Sequence, residues 1–381
     1  MPTRPSGQSF SDSAVIAFRD RARKWLAASV PQKSLASASH DASALLRIRR
    51  EWDKTLFDGG FAGLAWPREY GGRGLGPIEE AVFFEEAAAA HAPEEFGAIG
   101  KYVAGPAIFA NGTEEQKRLF LPRILNGSQI WCEGFSEPGA GSDLAAVTTT
   151  ATRRPDGTYA VTGQKIWTSF AAEADRCYLL ARTSLSAPRH RNLTVFLLDM
   201  HGPGIHVVPM RQINGQSDFN EVFFDGAICR PDEVLGQEGA GWSLTSLSGF
   251  RSRRQLLTGL RAYLQMRPLV DQLCECCDEV GHQSEAAADI DLRVEVLLWH
   301  VRRATELMAN DLEWQPSVAV VKSYWSRLLQ ELTLLGVSVG CPRHSDLWRA
   351  RYLDCRGATI YGGTEQIQKN VIADRILALP R

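Results

Sequence analysis

The spacing of apolar residues changes period twice along the chain, from helical to extended and back to helical. Val15 to Leu26 and Leu45 to Leu56 place apolar residues on one helical face, and Glu79 to Ala90 does so with acidic residues early. Trp66-Pro67-Arg68-Glu69-Tyr70-Gly71-Gly72 interrupts them as a loop that no helix can continue through. Asn111 to Lys117 reads as a turn, a threonine N-cap and an acid-rich first turn. From about Trp131 the pattern becomes short β-branched or aromatic runs: Thr158 to Thr162, Arg176 to Arg182, Leu193 to Asp199, Ile205 to Val208 and Glu221 to Phe224. Glycine, proline and aspartate separate these runs, which predicts antiparallel strands. After Gly239-Ala240-Gly241 helical spacing returns, with Val294, Leu297, Leu298, Val301, Ala304 and Met308 on one face and a last helix from Glu365 to Leu377.

Helix, sheet and helix in separate blocks define an α+β chain, not alternating βαβ units. The expected divisions are a helical N-terminal domain over 1–130, a central antiparallel β domain over 131–238 and a C-terminal helical bundle over 239–381. No GxGxxG follows a strand, so a Rossmann dinucleotide site is not supported. A chain of 381 residues, 44% apolar, is long enough for several sub-domains around one site. Its net charge of -2 argues against a broad footprint for nucleic acid or an anionic membrane. No apolar run reaches the length of a spanning helix, and Met1 to Ser13 lacks an apolar signal core. Eight scattered cysteines make a disulfide scaffold a poor reading and the reducing cytoplasm the default location. Cys274, Cys276 and Cys277 match no common zinc spacing, so no metal is expected.

Four segments carry candidate chemistry. In Phe135-Ser136-Glu137-Pro138-Gly139-Ala140-Gly141-Ser142-Asp143, glycines flanked by hydroxyls let the backbone approach a ligand's carbonyl or phosphate oxygens; a surface turn is the alternative. Gly163 to Ser169 sets Trp167 beside Thr168 and Ser169 at a strand end, which suits a flat, polar-edged heterocycle. Taken alone, that segment reads more simply as a core tryptophan capped by a turn. Gly239-Ala240-Gly241-Trp242 leads to a helix bearing Arg251, Arg253 and Arg254, either an anion site or a solvated face. Ile360 to Gln368 gives a glycine pair before a helix opening at Thr364, whose N-terminus suits an anionic or carbonyl oxygen or is an ordinary cap.

In this order and at these distances the segments resemble the acyl-CoA dehydrogenase family over nearly the whole chain. The resemblance extends to Trp66-Pro67 through Gly72, to Gly112-Thr113-Glu114-Glu115-Gln116-Lys117, and to the ending Asn370 to Arg381. The tail looks most like bacterial members that read GGT, not EGT, several of which act on steroid or branched acyl thioesters. The resemblance implies the acyl-CoA dehydrogenase fold with a C-terminal four-helix bundle. It implies FAD between the β domain and the bundle, reaching across a subunit interface of a homo- or hetero-oligomer. On that mapping Phe135, Ser136, Trp167 and Ser169 border the flavin ring, and Ser142 sits near the CoA or carrier-protein moiety. Gly363, Thr364 and Gln366 face the FAD of the neighbouring subunit. The implied substrate is an acyl thioester, with electrons passed on to an acceptor that the residues do not identify.

Family chemistry removes the thioester α-proton with a carboxylate while the β-hydrogen leaves as hydride to flavin, so a base and a carbonyl-polarising donor are both needed. The usual base position, before the Gly-Thr, is Gly362 here. The minority position, ten residues beyond Trp242 and before an arginine, is Ser252, followed by Arg253, which the resemblance marks as substrate-binding. A general base contributes about 10²- to 10⁴-fold, or roughly 3 to 5.5 kcal/mol of barrier. Glu365, the nearest carboxylate in sequence to Gly362, reads as a helix N-terminal residue. Two further departures stand out. Cys274 to Asp291 lacks the family's Arg-x-x-Phe pair, and its Gly-Gly turn is reduced to Leu334-Leu335-Gly336-Val337. Three readings follow: a dehydrogenase with a displaced base, a flavin monooxygenase of the same fold, or a catalytically silent partner in a heteromeric dehydrogenase.

Overall fold

The structure, a computed structural model, describes residues 8–33, 42–246, 249–280 and 285–380; the side chains of residue 42 and of residues 246–253 lie outside that description. The chain forms two compact units, one of residues 32–74 and 93–251 and one of residues 1–31, 75–92 and 252–381.

The first unit is built on an eight-stranded sheet. Its strands are β1 (Trp131–Gly134), β2 (Thr150–Arg153), β3 (Tyr159–Ser169), β4 (Arg176–Arg182), β5 (Leu193–Asp199), β6 (Ile205–Met210), β7 (Phe219–Cys229) and β8 (Val234–Leu235). The order is β6-β7-β3-β2-β4-β5-β8, with β1 beside β4. β4 and β5 occupy the limits expected from their runs of Val, Leu, Tyr and Thr, while β3 and β7 extend well past theirs. The sheet is antiparallel as expected except where β1 runs parallel to β4 and where Thr150 of β2 meets Arg182 of β4. β1, β2 and β8 were not expected from sequence: they are four, four and two residues long, too short to show alternation. One face buries Val161, Leu179, Phe196, Leu198, Val222 and Phe224 into a continuous apolar core. This unit also contains the helices α2 (Ala42–Asp58), α4 (Gly105–Asn111) and α5 (Glu114–Leu125). Thr113 caps α5 through its hydroxyl, which accepts from Gln116 N–H, as the Thr-x-x-Gln spacing predicts. Trp66 donates its indole N–H to Lys101 O, and a Cβ at Gly105 would lie 2.1 Å from its ring, so only glycine fits there.

The second unit is helical: α1 (Ser13–Ser29), α3 (Pro77–Ala89), α7 (Gly249–Glu279), α8 (Glu285–Ala309), α9 (Gln315–Val339), α10 (Ser345–Asp354) and α11 (Glu365–Arg375). Between the units' sequences lies the short α6 (Gly241–Ser246), which belongs to the sheet unit. Of the expected stripe, Val294, Leu297, Leu298, Val301 and Ala304 are buried with Leu260, Val270, Val321, Trp325 and Trp348, and Met308 is partly buried against them. Arg19, Arg23 and Arg302 bind Glu85 and Glu86, tying α1 and α8 to α3. The segment Leu334 to Val337, matched from sequence to a reduced Gly-Gly turn, is interior helix: a Cβ at Gly336 would stand 2.2 Å from the Trp348 ring, and the chain leaves α9 only at Gly340, with φ +67°. Close packing, not turning, is what that glycine serves. Among the described residues no helix is long and apolar enough to cross a membrane.

Candidate functional site

In the sheet unit the loop from Phe135 to Asp143 begins where β1 ends. Glu137 and Ala140 exchange both backbone hydrogen bonds, 3.0 Å each, closing a tight turn with Pro138 and Gly139 at its corner. The Glu137 side chain turns inward and accepts from Thr148 N–H at 2.6 Å, the Thr148 hydroxyl at 2.7 Å and Thr149 N–H at 2.9 Å. It also pairs with Lys165 of β3 at 2.9 Å, and that ammonium donates to Phe135 O at the same distance. Burial pushes the Glu137 carboxyl up, but the Lys165 charge and these hydrogen bonds outweigh it and bring its pKa to about 2. Glu137 is therefore an ionised bolt that holds the loop against β3. Neither residue was singled out from sequence; the available signal was a lysine at an inward register position of a strand.

What the bolt leaves outside is the polar rim. Gly139, Gly141, Ser142 and Asp143 are exposed, and a Cβ built at Gly139 or Gly141 meets nothing within 4 Å. Neither glycine has a positive φ. Asp143 pairs with Arg189 of the β4–β5 connection, where the neighbouring His190 ring lies 4.5 Å from that of Trp242. The Gly139 and Ser142 segment, Trp242 and the Gly239–Gly241 turn thus belong to one loop cluster.

At the end of β3 the ladder with β7 slips between Lys165 and Thr168, and Trp167 is extruded. It is 56% exposed, which overturns the reading of a core tryptophan. Its φ is +59°, and that of Phe170 is +54°, conformations uncommon for any non-glycine residue and outlying for bulky ones. Thr168 and Ser169 sit between these two left-handed aromatics. Thr168 O accepts from Asn220 Nδ2, Phe170 N–H donates to Asp218 O, and Ile166 N–H donates to Ser136 O, which joins this strand end to the first loop. The structure therefore brings Phe135, Ser136, Trp167 and Ser169 into one connected region. Phe135 itself is buried, its ring centroid 5.5 Å from that of Tyr178.

In the helical unit the loop before α11 carries the other candidates. Gly362 has φ +66° and Gly363 φ +94°. A Cβ at Gly362 would meet nothing within 4 Å, whereas one at Gly363 would lie 2.5 Å from Gln368 Nε2. Thr364 accepts from Ile367 N–H and caps α11, while Gln366 is exposed. Gln255 of α7 donates to Gly362 O, so the Gly362 loop touches the helix on which Ser252 lies one turn earlier. The side chains of Ser252 and Arg253 lie outside the described residues. Glu365 is nearly buried and is held by Arg327 at 2.6 Å and Lys369 at 2.7 Å. Hydrogen bonds from Lys369 and Arg327 lower its pKa, so it is the helix N-terminal residue expected from sequence and a weak base.

Sequence reading also passed over Lys322 of α9, although a lysine following Val318-Ala319-Val320-Val321 is a visible anomaly. Its buried ammonium donates to Ala358 O and lies 4.3 Å from the Trp325 ring centroid and 4.6 Å from that of Tyr361. Burial pulls its pKa down to about 8. Gln330, one helical stretch further, donates to Cys355 O and Arg356 O. Helix α9 thus grips the segment that ends in Gly362.

Comparison with known proteins is consistent with this geometry. The acyl-CoA dehydrogenase N-terminal domain profile matches residues 14–128, the middle-domain profile 132–227 and the C-terminal-domain profile 247–377. Acyl-CoA dehydrogenase IpdE1 of Mycobacterium tuberculosis is 37% identical over 96% of this chain and 97% of its own length. Acyl-CoA dehydrogenase FadE26 of the same organism is 32% identical over 88% of each chain. Among solved structures, the Tcur3481-Tcur3483 steroid ACAD superposes with a TM-score of 0.83 at 25% identity, covering 97% of this chain and 99% of that one. The ChsE4-ChsE5 complex from Mycobacterium tuberculosis has a TM-score of 0.74 at 26% identity, with both chains fully covered. All three of the family's domains are matched along one chain that has the family's fold, and this protein belongs to the acyl-CoA dehydrogenase family.

Proposed function

We propose that the chain is an FAD-dependent oxidoreductase acting on an acyl thioester, carried by CoA or an acyl carrier protein, by α,β-dehydrogenation. The observation that carries this reading is Trp167, a large aromatic extruded in a left-handed conformation beside Thr168 and Ser169. An apolar ring exposed at such a backbone position makes physical sense when a flat ligand covers it. The open space over Gly139 and Gly141 suits the same ligand or its thioester partner. Phe135, Ser136, Trp167 and Ser169 would hold the flavin ring, Ser142 and Arg253 the substrate, and Gly363, Thr364 and Gln366 a neighbouring subunit's FAD. Bound FAD would supply the hydride acceptor. Gly362 keeps its backbone N–H to polarise a thioester carbonyl. Neither Gly362 nor Ser252 supplies the base, and Glu137 and Glu365 are each committed to cations.

That commitment favours a second reading, in which the chain is the silent half of a heteromeric dehydrogenase whose other subunit supplies the base. The two solved neighbours described above are both named as pairs of proteins. The deciding measurement is the absorption spectrum of the purified chain, alone and co-expressed with a homologue. A yellow homomer bleached anaerobically by an acyl thioester supports the first reading, and a colourless homomer that gains flavin only with a partner supports the second. Bleaching by external reductant alone, with an oxygen-dependent product, would support a monooxygenase instead. In flavin-loaded protein, Ser252→Glu is expected to raise desaturation, within the about 10²- to 10⁴-fold range of a general base. No gain would show that this helix turn does not face the substrate.

A further inference from the structure

Two bulky residues with positive φ, three positions apart, require something to hold them. A left-handed conformation is unfavourable for an L-residue, because its Cβ crowds the following carbonyl oxygen. Trp167 leans on Phe219, ring centroids 5.9 Å apart and nearly perpendicular. Phe170 is held from the other side, by residues distant in sequence. Its ring meets Phe96 edge-on at 5.1 Å, and the Arg49 guanidinium of α2 lies 5.2 Å from the Phe170 centroid and 5.3 Å from that of Phe96. Arg49 does not float there. Its Nε and Nη2 donate to the carbonyls of Glu94 and Glu95, which fixes the plane of the guanidinium, and its side chain is only 22% exposed. Arg50 completes the wall, with its guanidinium 5.3 Å from the Phe96 centroid and Nη2 donating to Glu173 O just beyond Phe170.

From this arrangement we infer that Arg49 is a positioning residue for the Trp167–Ser169 segment, acting through Phe170. The inference rests on the flavin reading for its purpose, not for its geometry. A cation shared by two ring faces fixes the Phe170 ring, the ring fixes a backbone that would otherwise relax, and Ser169 is the adjoining residue. Arginine suits the task because its planar fork can bind two carbonyls while stacking on aromatic faces, which lysine cannot reproduce. The segment is thereby kept in its ligand-ready shape before any ligand arrives.

The test compares full-length wild type with Arg49→Met, which keeps the apolar stem, and Arg49→Lys, which keeps the charge. Hydrogen exchange of the amides of residues 166–171 in flavin-free protein should quicken about 3- to 10-fold in Arg49→Met, the scale of one partly desolvated cation–π contact, with Arg49→Lys intermediate. The melting temperature and the exchange of β4 and β5 should stay put. In flavin-loaded protein the flavin dissociation constant should rise by a similar factor. Unchanged exchange in 166–171 would overturn the inference, and so would a rise spread over the whole sheet unit, which is what a merely structural arginine would give. A colourless wild type would sink the flavin reading, yet the exchange measurement would still decide the role of Arg49.

Discussion

Two loops of this molecule are held by buried lysines, one on β3 and one on α9, and they are held in opposite ways. In the sheet unit Lys165 meets a carboxylate, and Glu137 and Lys165 together fasten the Ser136–Asp143 loop to β3. In the helical unit Lys322 meets only a carbonyl and two aromatic rings, and no ion-pair partner for it is among the described contacts. The first arrangement holds a loop through full charge in a site from which water is excluded. The second holds the segment before Gly362 through a weaker, titratable contact. The difference bears on function: the loop expected to border the flavin is the rigidly pinned one. The loop where the family resemblance leads one to expect a base carries Gly362, at which an added Cβ would meet nothing within 4 Å.

The contrast breaks most easily at Lys165. Lys165→Met should leave Glu137 buried and without its cation, and losing one partner of a buried pair costs about 3–5 kcal/mol. Denaturant unfolding measures this directly. A loss under about 1 kcal/mol would show that the Thr148 and Thr149 donors alone suffice, and the bolt would be theirs.

How much of this was open to sequence reasoning depended on how local each cause is. β4 and β5 were legible to the residue because their dense apolar runs are bounded by Asp175, Thr183, Asn192 and Asp199. β1, β2 and β8 were not, because their pairing comes from partners far along the chain. The four candidate segments were legible as motifs, and the sheet unit does connect Ser136 to the Trp167 strand end. Whether Trp167 was core or rim was not legible, since an exposed and a buried tryptophan are the same letter. Glu137, Lys165, Arg49 and Lys322 make contacts across separations of 28 residues for Glu137 and Lys165, 36 for Lys322 and Ala358, and 121 for Arg49 and Phe170, which no local pattern reports. Arg49 reaches Phe170 only because α2 packs beside the sheet's loops, a tertiary fact.

A smaller effect is expected at Lys322, and its sign separates the two lysines. Its folded pKa, about 8, lies below the ordinary 10.5. Between those values the unfolded chain binds the proton and the folded one does not, so stability rises with pH across that window. Relative to Lys322→Met, wild type should therefore become progressively more stable as pH goes from about 8 to 10.5. At neutral pH the variant should lose only about 1–2 kcal/mol, because the orphaned Ala358 carbonyl is partly offset by removal of a poorly solvated charge. Parallel pH profiles of wild type and variant would show that the ammonium is retained by its carbonyl and rings well into the alkaline range, and the two lysines would then differ less than proposed.

The finest test is Gly139→Ala, because there the two demands on a loop residue, folding and binding, come apart. The position is exposed, has no positive φ, and has no neighbour within 4 Å of the added Cβ. Nothing among the described residues requires glycine there, so stability should change by less than about 0.5 kcal/mol. If the open space over the loop exists for a ligand that approaches the backbone, the same methyl overfills it. Flavin occupancy or thioester bleaching should then weaken by at least about fivefold, the lower end of what overpacking imposes. Gly363→Ala provides the opposite control, since φ +94° and the 2.5 Å approach to Gln368 make that glycine a folding requirement. Should Gly139→Ala leave both stability and ligand binding untouched, the Ser136–Asp143 loop is a surface turn, and the rigidity supplied by Glu137 and Lys165 serves the sheet rather than a site.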